Sequence, residues 1–175
     1  MTRSVLRSYL FAPGHRPERF EKALAAGADA VILDLEDAVP VDDKALARDR
    51  IADALDAARP VWVRVNARET PWFEDDLRAC AHPGVAGVML PKAERADDAA
   101  QAASLAGGRP VLALVETAAG LWNALEVAQA PAVVRIAFGS IDYQADLNID
   151  GEGEPLLHAR SQLVLASRVG GILPP

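Results

Sequence analysis

Val111-Leu-Ala-Leu-Val-Glu-Thr-Ala-Ala-Gly-Leu-Trp-Asn-Ala-Leu-Glu-Val-Ala-Gln129 carries the pattern on which the fold turns. An apolar run, Val111–Val115, breaks at the polar pair Glu116-Thr117. It gives way to Ala118–Gln129, where apolar residues return at three- and four-residue intervals, as on one face of a helix. The same strand-then-helix unit repeats outward in both directions. Strand runs are read at Ser8–Ala12, Ala30–Leu35, Val61–Val65, Gly87–Leu90, Val133–Phe138 and Gly171–Leu173. Helical stretches are read at Arg16–Ala26, Asp42–Ala58, Trp72–Ala79, Arg95–Ala106 and Pro155–Val169. Phe20, Leu24 and Ala28 form one apolar row, and Leu46, Ile51 and Leu55 another. Breaks fall at Gly27, Pro60, Pro83-Gly84, Gly107-Gly108 and Pro131. Near-continuous Val, Ile and Leu in the strands, with one helix between each pair, predicts a parallel sheet covered on both faces.

Two architectures fit that order: a doubly wound open sheet and a (β/α)8 barrel. A chain of 175 residues suits the open sheet, since a barrel typically needs about 250. The polar residues favour the barrel. Each of the first six strand runs ends in polar or charged residues: Pro13-Gly14-His15-Arg16, Asp34-Leu35-Glu36-Asp37, Arg64 with Asn66, Pro91-Lys92, Glu116-Thr117 and Gly139-Ser140-Ile141-Asp142. A closed parallel barrel gathers such positions in a ring on its catalytic face.

Composition narrows the function classes. Apolar residues make up 51% and charged residues 25%, a mixture able to bury a core. The net charge of −7 argues against a nucleic-acid binder, which needs a basic face. The lone cysteine, Cys80, excludes an internal disulfide and a multi-cysteine metal site, and suits a reducing, cytoplasmic compartment. No stretch is long and apolar enough to predict a transmembrane helix. Met1–Arg7 runs directly into a strand and makes a poor signal peptide. No linker divides the chain, so a single domain over residues 1–175 is expected.

Several residues carry chemistry. Asp34 and Glu36 are two apart in an extended segment and face the same side, where their repulsion calls for a cation, a shared proton or a paired arginine. Arg64 lies within a strand, where a guanidinium needs an anion. Lys92 is one of only three lysines and ends a strand, which fits either a site or a solvated surface. Thr117 fits a helix cap, and Glu116 either a loop or a ligand. Asp142 opens a short Tyr143–Leu147 stretch, as a cap or a ligand. Glu116 and Asp142 on neighbouring strands offer two hard oxygen ligands, which suits Mg2+ with retained waters. His15, His82 and the three tryptophans read as loop and packing residues, and no dinucleotide, P-loop or GxSxG motif occurs.

Six motifs in order then resemble one family. They are Ser-Tyr-Leu-Phe-Ala-Pro-Gly-His-Arg-Pro (8–17), Asp-Leu-Glu-Asp-Ala-Val (34–39), Val-Arg-Val-Asn (63–66), Leu-Pro-Lys-Ala-Glu (90–94), Leu-Val-Glu-Thr-Ala-Ala-Gly (114–120) and Phe-Gly-Ser-Ile-Asp-Tyr-Gln-Ala-Asp-Leu (138–147). The sequence resembles the citrate lyase β-subunit-like proteins of the HpcH/HpaI aldolase family.

The resemblance implies a TIM (β/α)8 barrel, here apparently truncated after about six βα units. It implies a Mg2+-dependent carbon–carbon lyase acting on a 3-hydroxy-carboxylic acyl thioester of the citryl-, citramalyl- or malyl-CoA type. Glu116 and Asp142, rather than Asp146, match the Mg2+ ligands. Arg64 matches the arginine that binds the 2-oxo acid, and Asp34, Glu36 and Asp37 the acidic motif near the metal waters. Arg16 and Lys92 match basic positions near the substrate and its CoA or carrier-protein arm. The implied reaction is a retro-Claisen cleavage whose base is not identified. The resemblance also implies a homo-oligomer, often a trimer. Three other readings stand beside it: a non-catalytic truncated member, an acyl-CoA thioesterase, and a pyruvate-type aldolase on free acids. An open-sheet receiver module phosphorylated on Asp34 fits the strand count and the strand ends poorly.

Overall fold

The structure, a computed structural model, describes residues 5–175. The reading of Met1–Arg7 as a poor signal peptide falls partly on residues 1–4, outside the described residues. Six strands form a sheet: β1 (Tyr9–Pro13), β2 (Ala30–Asp34), β3 (Val61–Arg64), β4 (Val85–Leu90), β5 (Val111–Val115) and β6 (Val133–Phe138). Their order is β1-β2-β3-β4-β5-β6. A doubly wound sheet reverses its order at a switch point; this one does not, so the α/β fold has the strand order of the barrel class. Among the described residues no helix is long and apolar enough to cross a membrane.

The chain comprises two compact units, Met1–Val88 with Leu105–Arg109 and Met89–Ser104 with Pro110–Pro175. In the first, β1 pairs in parallel with β2, and β2 with β3, in a register that sets Pro13 beside Asp34 and Asp34 beside Arg64. Its helices are α1 (Phe20–Leu24), α2 (Lys44–Ala54) and α3 (Phe73–Ala79). Ile32, Val63, Leu35, Ile51 and Leu77 are all but sealed from solvent.

The helices here are shorter than the apolar spacing suggests. Pro17 opens a 3-10 turn over Pro17–Arg19 before α1 begins. Another 3-10 turn, Val41–Asp43, precedes α2, which stops where Leu55 turns extended. Leu46, assigned to an apolar row by spacing, is exposed; the buried face of α2 is Lys44, Ala47 and Ile51.

In the second unit β5 pairs in parallel with β6, with a register shift after Val111. The helices are α4 (Ala96–Leu105, ending at the unit boundary), α5 (Ala118–Trp122), α6 (Ala124–Gln129), α7 (Ser140–Leu147) and α8 (Leu157–Gly170). The single helix read over Ala118–Gln129 is two. Asn123 leaves helical geometry (φ −95°, ψ 11°), and its amide donates to the carbonyl of Glu94 at 3.0 Å. The seventh strand amounts to one bridge, Leu173 to Arg135, with Leu173 N–H donating to Val134 O at 3.1 Å.

Gly14 shows how tightly the first unit closes behind β1. Its N–H donates to Asp34 O at 2.8 Å, and a Cβ there would lie 2.7 Å from that oxygen and 2.9 Å from Ile51 Cδ1. Gly14→Ala should therefore destabilise the protein by about 1–3 kcal/mol. Glu152→Ala, at an exposed loop residue, should change stability by less than about 0.5 kcal/mol. Urea midpoints of the two variants check this; equal midpoints would contradict it.

Candidate active site

In the first unit a guanidinium is held by three carboxylates. The parallel register sets Arg64 beside Asp34, and the pair is bidentate: Arg64 Nε donates to Asp34 Oδ1 at 2.7 Å and Nη2 to Oδ2 at 2.6 Å. Arg64 Nη1 lies 3.0 Å from Glu36 Oε2 and 3.3 Å from Asp37 Oδ2. The ring of Phe11 sits 5.1 Å from the guanidinium carbon. Burial works against the charge on Arg64, but the bonds and charge of Asp34, then Glu36 and Asp37, raise its pKa above the usual arginine value.

Asp34 is fully buried and does a second task. Its Oδ1 accepts from Glu36 N–H at 2.9 Å and its Oδ2 from Ala38 N–H at 3.2 Å, which folds the acidic turn back over the strand end. The carboxylate repulsion expected between Asp34 and Glu36 is thus relieved by an arginine.

Two residues of this unit escaped the sequence reading. Lys44, buried at the start of α2, donates to Leu35 O at 2.8 Å and Glu36 O at 2.7 Å. Its ammonium lies 5.6 Å from the ring centre of Trp72. Burial lowers its pKa, against the pull of Asp34, Glu36, Asp76 and Asp37. The second is Asp76 of α3. Its Oδ2 accepts from Asn66 N–H at 3.0 Å and Asn66 Nδ2 at 2.7 Å, and its Oδ1 from Arg48 at 2.9 Å. Burial raises the Asp76 carboxyl, opposed by Asn66 and Arg48. In the sequence it is hidden at the end of Glu74-Asp75-Asp76, which looks like a solvated acidic face. Arg16 is drawn elsewhere: it donates to Glu18 Oε1 at 2.7 Å and is half exposed. His82 Nδ1 accepts from Gly84 N–H at 3.0 Å, a turn contact.

In the second unit Lys92 joins the two predicted metal ligands. Its backbone adopts a left-handed φ of 47°. Its N–H donates to Glu116 Oε1 at 2.9 Å and its ammonium lies 3.4 Å from Asp142 Oδ2. Glu116 is buried, while Asp142, in the first turn of α7, is partly exposed. Gly139 lets the Glu116 side chain pack directly against its backbone, since a Cβ there would stand 2.4 Å from Glu116 Oε2 and 2.6 Å from Glu116 Cβ. Thr117 caps α5 by accepting from Gly120 N–H at 3.0 Å, and its hydroxyl donates to Glu94 at 2.8 Å. Asp146 accepts from Ala118 N–H at 2.8 Å, so it serves a helix start and leaves Asp142 as the carboxylate beside Glu116's lysine.

Could these residues hold a metal? Among the described residues no group of three or more His, Cys, Asp or Glu side chains is gathered as a metal cage. Mg2+ does not need one; it is commonly bound by one or two carboxylates and keeps several waters. A buried carboxylate, Glu116, and a second carboxylate, Asp142, reached through the same lysine fit that cation.

Comparisons with known proteins give the class. The HpcH/HpaI aldolase/citrate lyase family model matches residues 7–173. The chain belongs to this family. It is 44% identical, over 97% of its length, to the citrate lyase subunit beta-like protein of Deinococcus radiodurans, of which it covers 64%. It is 39% identical, over 81% of its length, to a (3S)-malyl-CoA thioesterase of Cereibacter sphaeroides, of which it covers 51%. Among solved structures, CitE from Mycobacterium tuberculosis in complex with magnesium, acetoacetate and coenzyme A superposes with a TM-score of 0.83. The identity is 40%, with 97% of this chain and 64% of that one covered. The chain thus spans less than two thirds of these relatives.

Two predictions follow from the burial. Asp34→Ala leaves Arg64 without its bidentate partner and should cost about 3–5 kcal/mol, towards the lower end because Glu36 and Asp37 remain; denaturant unfolding checks this. The Cys80 thiol is pushed up to about 12, first by burial and then by Asp76. It should resist alkylation in the native protein near about pH 8 and react once unfolded. Rapid native labelling would contradict the buried placement.

Proposed function

We propose that this chain carries residues of a Mg2+-dependent carbon–carbon lyase. The substrate is a 3-hydroxy-carboxylic acyl thioester of the citryl-, citramalyl- or malyl-CoA type, cleaved to an acyl thioester and a 2-oxo acid. The observation that carries the proposal is the carboxylate pair Glu116 and Asp142, tied through Lys92, which meets one with its backbone N–H and the other with its ammonium. The magnesium in the mycobacterial relative supports the choice of cation. In this reading the six βα units are those of a (β/α)8 barrel.

Each residue has a chemical task. Glu116 and Asp142 hold the cation, which when bound polarises a carbonyl oxygen as a Lewis acid. Arg64 offers the oxygens of the 2-oxo acid the Nη1–Nη2 end of its planar guanidinium, where the substrate would take the place of Glu36 and Asp37 at Nη1, a contact that a lysine cannot make. Asp34 sets the plane of that guanidinium, and Glu36 and Asp37 hold its Nη1 in the absence of substrate. Lys92 balances the charge of the carboxylate pair. Arg16, half exposed, is the basic group offered to the phosphates of a CoA or carrier-protein arm. Assembly into a homo-oligomer, as a trimer, and a cytoplasmic setting belong to the same proposal.

A second reading, thioester hydrolysis, is favoured by the similarity to the Cereibacter thioesterase. One assay separates the two. Citramalyl-CoA and malyl-CoA are supplied with Mg2+ or with chelator, and 2-oxo acid and free thiol are followed together. Release of 2-oxo acid that chelator abolishes is the expected result. Free thiol without 2-oxo acid would replace the lyase by a thioesterase, and silence with every substrate would remove the activity from this chain. Glu116→Ala and Asp142→Ala should each lose Mg2+ affinity in calorimetry. Arg64→Lys should lose cleavage despite its retained charge; a rate like the wild type's would remove Arg64 from the reaction.

A further inference from the structure

We infer that Lys44 is a positioning residue of the site: its buried ammonium pins the Leu35 and Glu36 carbonyls and thereby aims the Asp34-Glu36-Asp37 carboxylates at Arg64. The inference deepens the lyase proposal and rests on it for the catalytic consequence alone.

Three observations converge on Lys44. First, the location is adverse for a cation. Lys44 is the first residue of α2, where the helix macrodipole disfavours positive charge, and its side chain is buried. A lysine is seldom buried unless it is paired. Second, what it meets there is specific. Two successive backbone carbonyls, at 2.8 and 2.7 Å, belong to the residues linking β2 to the acidic turn. The Trp72 ring covers the ammonium as a cation–π partner.

Third, the pinned segment is the one that carries the carboxylates. Leu35 N–H donates to Arg64 O at 2.9 Å, and Val39 N–H to Glu36 O at 2.9 Å. Glu36 N–H and Ala38 N–H go to Asp34. The amides of Leu35, Glu36 and Ala38 are therefore bound to β3 and Asp34, while Lys44 donates to Leu35 O and joins Val39 N–H at Glu36 O. With it removed, Leu35 O loses its side-chain donor and the turn is free to rotate Glu36 and Asp37 away from Arg64 Nη1. The chain uses arginine for 15 of its 18 basic residues. A compact ammonium with three rotatable donors suits adjacent carbonyls, whereas arginine's wide planar fork suits carboxylates.

The test reads Arg64 directly. Arginine side-chain 1H–15N spectra are recorded for the wild type, Lys44→Met and Lys44→Arg, each well below its melting temperature. The Arg64 Nε–H signal is identified by its loss in Arg64→Lys. Lys44→Met, similar in length but without a donor, should shift or broaden that signal, and Lys44→Arg, which keeps donors in a less suitable geometry, should restore it only in part. Cleavage by Lys44→Met should fall in kcat/KM on the order of 10–100-fold, as when the partner that orients a site residue is lost. A lower melting temperature with an unmoved Arg64 signal and unchanged kcat/KM would mean that Lys44 only stabilises the fold, and would overturn the inference. If Lys44→Met does not fold, Lys44→Leu, also without a donor, takes its place with the same outcomes. If the wild type cleaves no thioester, the lyase proposal fails on its own, and the Arg64 signal alone decides for or against positioning.

Discussion

A guanidinium in a buried strand has to be answered by an anion, and the first unit is organised around that requirement. The parallel register of β2 and β3 puts Asp34 beside Arg64, so the answering carboxylate is supplied by strand pairing itself. Burial makes a bidentate ion pair strong but also expensive to desolvate. Its value therefore lies in orientation more than in stability: with Nε and Nη2 both bound to one carboxylate, the plane of the guanidinium is set. Asp34 also takes the amides of the following turn, so one side chain joins strand, turn and arginine. Lys44 closes the opposite side of that turn, and Gly14 lets the end of β1 approach it.

The second unit reaches a related result by other means. There the carboxylates come from a strand end and a helix start, and a lysine at the end of β4 addresses both, one with its backbone N–H and one with its ammonium. Side chains that look similar in the sequence do different work. Asp142 faces an ammonium, whereas Asp146, one helical turn later, caps the start of α5. Neighbouring acidic residues are therefore divided between an ion pair and a helix start.

Much of the strand framework was legible because fully buried strands leave an unmistakable apolar run; Val111–Val115 and Val133–Phe138 agree with the structure to the residue. Polar strand ends were equally readable, and they led to Asp34, Arg64, Glu116 and Asp142. Helices were read less well. Spacing cannot anticipate that Asn123 would turn its amide towards Glu94 O and split one helix into two, or that Leu46 would be left exposed while Lys44 was buried. The signal for Lys44 was present but electrostatic: a rare lysine at a helix start, where its charge is disfavoured. Asp76 left no such signal, because a run of three acids is indistinguishable from solvated surface until Asn66 and Arg48 are seen to close on it.

The left-handed backbone at Lys92 has a consequence for how this protein is tuned. A residue with a side chain held at positive φ carries about 1–3 kcal/mol of conformational strain, and a glycine there would relax it. The position nevertheless carries the lysine whose two ends meet Glu116 and Asp142. The fold therefore stands somewhat below its attainable stability at the residue where it gathers its carboxylates. Engineering that seeks a hardier protein by relieving strained backbone would, at this position, exchange ammonium for robustness.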